Sequence, residues 1–381
     1  MTHNKWPTVK LGDVASLEFG APFKSKQFNE ERIGLPVARI RDVKRGYSET
    51  FYEGPFEEKY LLENGDLLVG MDGEFNIARW QGGKALLNQR VCRIGKHPNP
   101  CVLPMYLYYC LPRHLKVIEE RKSFVTVKHL SAKDLRSIEI PLPPLEEQRR
   151  IARVLGNCSK LHDQISGRKN LLESLFRSTT TSIFGNYSST RKLEDFATVK
   201  TGPFGSMIHQ SDYVSPGVPL INPQHIVNNK LSPSAEHQIS SAKARTLEQY
   251  ILRPGDIILG RRGQMGRAAL VAMSDCPVIC GTGCLIVRPH RIDDSVWLWA
   301  YLTGPLATQL LERAAIGATL PNLNSKIVSQ LKVPSINSDL KSQIDQLHRT
   351  ASRLLEKIDK SSVLTTELQA SLYARAFNGK L

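Results

Sequence analysis

No apolar run in this 381-residue sequence approaches the roughly 18 residues of a membrane span. The opening MTHNKWPTVK carries no apolar core of the kind that directs secretion. These two absences lead us to expect a soluble cytoplasmic protein with no membrane partner. Cysteine is scarce. Seven residues, an odd number scattered without secretory context, argue against a disulfide framework and for free thiols. Only Cys276, Cys280 and Cys284 are regularly spaced, in CPVICGTGC. A metal site would want a fourth ligand and usually a tighter CxxC pair. If the segment is a strand, spacing by four puts all three thiols on one face, as small buried apolar side chains. We favour that core assignment. Acidic residues also run short, 36 Asp plus Glu against 51 Lys plus Arg, for a formal charge of +15. Such a surplus draws a protein to a polyanion by counterion release. Missing as well are a GxxxxGK[ST] phosphate loop, HExxH, GxSxG, and a GxGxxG placed between strand and helix. Gly281-Thr282-Gly283 is followed by an apolar strand-like run and reads as a turn.

What is present is organised around the stretch at 141–184. Apolar residues recur there at heptad spacing, Ile151, Val154, Cys158, Leu161, Ile165, then Leu172 and Leu175, with Arg168 interrupting. That is a long helix with a narrow coiled-coil seam. Pro143 and Pro144 end the preceding extended segment, Pro144 suits the first helical position, and Glu146 and Glu147 favour the positive end of the helix dipole. The device returns at the end of the chain, where Ser338 or Asp339 caps a helix with the seam Ile344, Leu347, Ala351, Leu354, Ile358, then Leu368 and Leu372, weakened in its middle by Ser361 and Thr365. A narrow seam cannot stay in water, so the two helices are expected to pack on each other, antiparallel if the domain between them is compact. Two separate helices, each on its own domain, is the alternative. Gly156 and Gly167 in the first helix each cost about 1 kcal/mol relative to Ala.

The strongest internal signal is a repeat. Lys10-Leu11-Gly12-Asp13-Val14-Ala15 is matched by Lys192-Leu193-Glu194-Asp195-Phe196-Ala197. Gly65-Asp66-Leu67-Leu68-Val69-Gly70 is matched by Gly255-Asp256-Ile257-Ile258-Leu259-Gly260, a turn entering a buried strand in each case. Each half closes with TVKHL at 126–130 or TLPNL at 319–323, a short strand into Ile140-Pro141 or Val333-Pro334, and the long helix. A period of about 190 residues is far too long for a solenoid and marks a duplicated domain-plus-helix unit. The chain therefore reads as globule 1–142, helix 143–186, globule 187–336 and helix 337–381. Each globule is α+β, short β-rich runs with a helical segment near 105–116 or 296–312.

Asp66, Asp72 and Glu74 form the one suggestive carboxylate cluster, for which a metal-dependent nuclease is the sharp alternative. The repeat argues against it, because Asp72 and Glu74 fall opposite Arg262 and Gln264. A surface reading different bases in each half would change in this way: Arg suits guanine, Gln suits adenine, and Asp or Glu accepts from the cytosine amino group. Arg261, Arg262, Gln264 and Arg267, in GRRGQMGR, are accordingly candidate DNA contacts, with Gly allowing close backbone approach. A solvated hairpin tip is the plain alternative. Lys24, Lys26, Arg39, Arg41, Gln89 and Arg90 are the candidates of the first half, whereas Lys44 and Arg45 read as a charged turn.

The order GDxxxG, then TxxxL, then PLPPLEEQxxIAxxL with its long helix, repeated and ending in FNGKL, resembles the DNA specificity subunit of type I restriction-modification systems. The resemblance covers almost the whole chain; Val333-Pro334-Ser335-Ile336 replaces the double-proline motif before the second helix. It implies a non-catalytic subunit with two tandem target-recognition domains separated by two long antiparallel coiled-coil helices, a pseudo-twofold duplication. Each domain would read half of a bipartite site in double-stranded DNA. The helices would dock two adenine-methylating modification subunits that carry S-adenosylmethionine, leaving no cofactor in this chain, and a restriction or translocase subunit can join them. A four-residue insertion after Lys169 is then expected to lengthen the tolerated gap between half-sites. A stand-alone endonuclease or methyltransferase with an unrecognised site is the alternative, and purified chain active by itself would reveal it.

Overall fold

A Gly-Asp turn opens the central strand of each half. At Gly65 and Gly255 the backbone adopts φ of 98° and 90°, which suits glycine. The following aspartate accepts a main-chain N–H three residues back, from Glu63 at 3.0 Å to Asp66 and from Arg253 at 2.8 Å to Asp256. Each also pairs with an arginine on the neighbouring strand, Arg93 at 3.3 Å and Arg288 at 2.6 Å. The strands that follow, Leu67–Gly70 and Ile257–Gly260, are buried throughout. Side-chain alternation accounts for the uninterrupted apolar runs. Leu67 and Val69 enter one core and Leu68 another; Ile257 and Leu259 enter one core and Ile258 another.

The computed structural model describes residues 6–95, 101–122, 128–315 and 322–381. In the first half an antiparallel sheet runs Ser16–Phe19, Val91–Gly95, Leu67–Gly70, Asn76–Arg79. In the second half Ala197–Thr201, Cys284–Pro289, Ile257–Gly260 and Ala268–Leu270 take the same order. A two-stranded ladder precedes each long helix, Thr8–Lys10 with Glu139–Pro141 and Thr190–Lys192 with Lys332–Pro334. The duplication seen in the sequence is thus one of sheet topology. The junctions expected at 126–130 and 319–323 lie partly outside the described residues.

Two expectations for the second half need correction. The helical segment expected at 296–312 is two helices, Ser295–Leu302 and Pro305–Ala314, because Gly304 breaks the first and Pro305 starts the next. CPVICGTGC is not one strand: Ile279–Cys280 and Cys284–Pro289 are joined by a turn. Cys280 and Cys284 are nevertheless buried in one cluster, with Cys276 half-buried against it. Burial pushes the Cys284 thiol up to about 12.

The long helices are Leu145–Gly185 and Ser338–Phe377, 41 and 40 residues. Pro144 precedes the first and accepts the Gln148 N–H at 3.0 Å. The Gln148 side chain is fully buried. Its Oε1 accepts the Leu103 N–H at 2.8 Å, and its Nε2 donates to the carbonyls of Cys101 and Pro143, both at 2.9 Å. Aligning Ile151 with Ile344 places Lys341 at the equivalent position, where its ammonium meets buried Asp294 at 2.5 Å.

The chain divides into two compact units, residues 1–164 with 361–381, and residues 165–360. Each long helix contributes one end to each unit. Within the first unit Arg150 donates to the Leu381 carbonyl at 2.6 Å, and Gln369 to the Ser159 hydroxyl at 3.5 Å. Within the second, Lys169 meets Asp359 at 2.6 Å and the Phe176 ring lies 6.0 Å from His348. Residue numbers rise on one helix as they fall on the other, so the pairing in each unit is antiparallel.

Six of the fourteen expected seam positions are displaced by one residue. Ile151, Cys158, Ile165 and Leu172, with Ile344, Ala351, Ile358 and Leu372, are buried or half-buried. The alternate positions are not Val154, Leu161, Leu175, Leu347, Leu354 and Leu368. They are Leu155, His162, Lys169 and Phe176, with His348, Leu355, Gln369 and Ala376. Val154 and Leu347 are half-buried, whereas Leu161, Leu175, Leu354 and Leu368 are exposed. Polar residues in the true seam, above all Lys169 with its cross-pair contact to Asp359, concealed it behind neighbouring leucines. Thr365 is buried.

Candidate nucleic-acid interface

Each unit carries a hairpin tip beyond its central strand, at 71–75 and 261–267. The Met71 N–H donates to the Arg90 carbonyl at 3.0 Å, and the Met71 carbonyl accepts the Leu130 N–H at 2.7 Å. Arg261 repeats both bonds, to Gly283 at 3.0 Å and from Leu323 at 2.9 Å. Single β-bridges join Asp72 to His129 and Arg262 to Asn322. Gly73 and Gly263 take φ of 69° and 76°, and the next-but-one residues, Phe75 and Met265, are buried. One backbone form thus presents two sets of side chains.

In the first unit the set is neutralised. Asp72 is bracketed by Arg90 Nε at 3.4 Å and His129 Nδ1 at 2.5 Å. Glu74 meets Lys44 at 2.5 Å. With Asp66 on Arg93, the three suggestive carboxylates serve three different cations rather than one site. Among the described residues no group of three or more His, Cys, Asp or Glu is placed to hold a metal ion.

The second unit separates its arginines. Arg261 is half-buried and donates to Asn322 Oδ1 at 3.0 Å; burial and the adjacent Arg262 charge draw it below the ordinary guanidinium value. Arg267 donates to the Pro223 carbonyl at 3.1 Å and to Gln264 Oε1 at 3.2 Å. Arg262 and Gln264 are exposed. Beside this tip lies a cleft of about 570 Å³ lined by Gln224, Asn228, Asn229, Gln264 and Gln309 with Arg177 and Arg267. Carboxamides are the side chains that pair with adenine. Gln264 is a candidate from its motif, whereas Gln224 and the Asn228-Asn229 pair were not expected here; the positive φ values of 49° and 59° at the two asparagines make a tight turn between Ile226–Val227 and Lys230–Leu231. Two adjacent asparagines were the available signal.

The remaining candidates of the first unit divide in the same way. Lys24 and Lys26 are exposed, flanking and within the turn Ser25–Gln27. Gln89 is exposed beside Arg90. Arg39 is held at home, by buried Asp42 at 3.3 Å and the Thr50 hydroxyl. Arg41 is exposed in the turn Ile40–Val43. A cleft of about 430 Å³ gathers Arg32, Arg39, Arg41 and Arg45, with Glu30 and Glu49 on its walls. Arg45, assigned to a plain charged turn, is on that wall and stacks 4.5 Å over Tyr47; Arg32 had no motif to betray it.

Comparison with known proteins agrees with this geometry. The family model described as Type I restriction modification DNA specificity domain matches twice, at residues 3–174 and 187–339. The chain is 28% identical over 412 residues to the Type I restriction enzyme EcoBI specificity subunit of Escherichia coli, covering 100% of this chain and 87% of that one. It is 22% identical to the MjaVIII specificity subunit of Methanocaldococcus jannaschii, covering 93% and 90%. The crystal structure of a type I restriction-modification S subunit from M. genitalium superposes with a TM-score of 0.60 at 14% identity, over 99% and 97% of the two chains.

Proposed function

The chain belongs to the type I restriction-modification DNA specificity family, and from that premise we propose that each unit reads one half of a bipartite double-stranded DNA site. It is a recognition subunit, not a catalyst. The observation that carries the reading is the duplicated hairpin tip, one backbone with Asp72 and Glu74 in one copy and Arg262 and Gln264 in the other. The surplus of 15 positive charges supplies sequence-independent attraction to phosphate, and the clefts beside Arg41 and Gln264 supply groups that read base edges.

Its partners are the DNA and the methyltransferase and restriction subunits of such a system, and S-adenosylmethionine belongs to the methyltransferase. Two methyltransferase copies are what the helices suit. The alignment of Ile151 with Ile344 puts Leu161, Leu171 and Leu175 opposite Leu354, Leu364 and Leu368. All six are exposed, from 44 to 70%. The antiparallel pairing gives the first unit Leu161, Leu364 and Leu368, and the second Leu354, Leu171 and Leu175, so the same apolar set occurs once per unit. Repeated exposed leucines beside a seam mark a protein-binding surface, and their repetition fits two copies of one partner. The test is the genome-wide N6-methyladenine pattern with and without this gene. A bipartite motif with a fixed gap should vanish on deletion; an unchanged pattern in cells that make the methyltransferase sinks the proposal.

A further inference from the structure

Three arginines crowd the second tip, and their surroundings give them different work. Arg261 is tied to Asn322, and Arg267 to Pro223 and Gln264. Among the described residues no ion pair or side-chain hydrogen bond holds Arg262, which is exposed. Its backbone, by contrast, is fixed by the bridge to Asn322, by the two hydrogen bonds of Arg261, and by buried Met265. A free guanidinium on a fixed stem is the arrangement a bidentate contact needs. The space before it is open as well, since a Cβ added to Gly263 would meet nothing within 4 Å.

We infer that Arg262 reads a guanine in the half-site of the second unit, an inference that rests on the proposed function. The duplicate argues for a base in place of a phosphate. Phosphates are the same at every step of DNA, so a phosphate contact made by the side chain at this position would call for a hydrogen-bond donor in both copies, and an ionised carboxylate offers none. The first copy has Asp72 at the equivalent position, already paired with Arg90 and in contact with His129 Nδ1. Only a contact to something that differs between the two half-sites tolerates that exchange, and what differs is the base pair. Arg spans guanine O6 and N7, while a carboxylate accepts from the cytosine amino group. Gln264, with Oε1 already engaged by Arg267 at 3.2 Å, stands ready beside it.

The experiment uses the full chain assembled with its methyltransferase partner, and a panel of duplexes changed one base pair at a time across the second half-site. The wild type should discriminate at each read position. In Arg262→Ala, discrimination at one G·C pair should fall by roughly 5- to 150-fold while other positions hold. The graft Arg262→Asp with Gln264→Glu, which copies the first tip at exposed positions, should change the preferred base there and leave the first half-site as it was. Uniform weakening on every duplex, the behaviour of a phosphate contact, overturns the inference, and so does an unchanged profile. A wild-type complex with no sequence preference at all would instead sink the proposed function, and this inference with it.

Discussion

Gln148 offers a quantitative test of how the first unit grips its long helix. Replacing it with Leu puts an apolar side chain of similar volume in its place and leaves the Leu103 N–H and the carbonyls of Cys101 and Pro143 without their partner. Water partly reaches the first two groups, each worth about 1 kcal/mol, and the buried Pro143 carbonyl adds about 2 kcal/mol. The expected loss is about 4 kcal/mol, confined to the first unit. With a urea dependence of about 2.5 kcal/mol per molar, the unfolding midpoint should fall by roughly 1.5 M. Hydrogen exchange read by mass spectrometry across a urea series reports this locally, through peptides from 101–111 and 145–155, with 295–302 reporting the second unit. A first-unit midpoint moving by less than about 0.3 M would show that these three hydrogen bonds do not anchor the helix as argued.

Two further outcomes follow from the helices. Leu161→Lys should remove one methyltransferase copy and Leu354→Lys the other, read by native mass spectrometry of the assembled complex; loss of both copies, or of neither, from one substitution would refute the repeated docking surface. His348, packed on Phe176 and Trp299, has its pKa lowered by burial, with Asp345 opposing and Arg349 adding. The folded state therefore favours the neutral ring, and below about 6.5 the unfolded chain binds a proton that the folded chain refuses. The second unit should lose stability as pH falls from 6.5 and gain nothing above 7, and His348→Gln should flatten part of that slope. Buried His225 is shifted in the same direction and adds to that slope. An identical slope in His348→Gln would count against the assignment.

Much of this architecture was legible because it depends on short-range rules. Gly65-Asp66 and Gly255-Asp256 announce a turn into a buried strand, since glycine suits the positive φ and aspartate accepts the local N–H. Apolar periodicity announced both long helices, and the repeat announced that whatever one half does the other does in variant form. These features mark a duplicated α+β protein and the charge surplus suits it to a polyanion, while the DNA specificity subunit is what the resemblance carried by the ordered motifs implies.

What only the tertiary structure decided depends on partners far away in the chain. Heptad spacing cannot tell Leu161 from His162, because both lie within one residue of the seam and the choice is made by which side chains the opposite helix presents; Asp359 draws Lys169 inward, and the leucines beside it are left outside. A count of arginines likewise cannot tell Arg262 from Arg261 or Arg39. Asn322, Asp42 and Thr50 claim the latter two for the fold, and Arg262 is left exposed with no ion pair or side-chain hydrogen bond among the described residues.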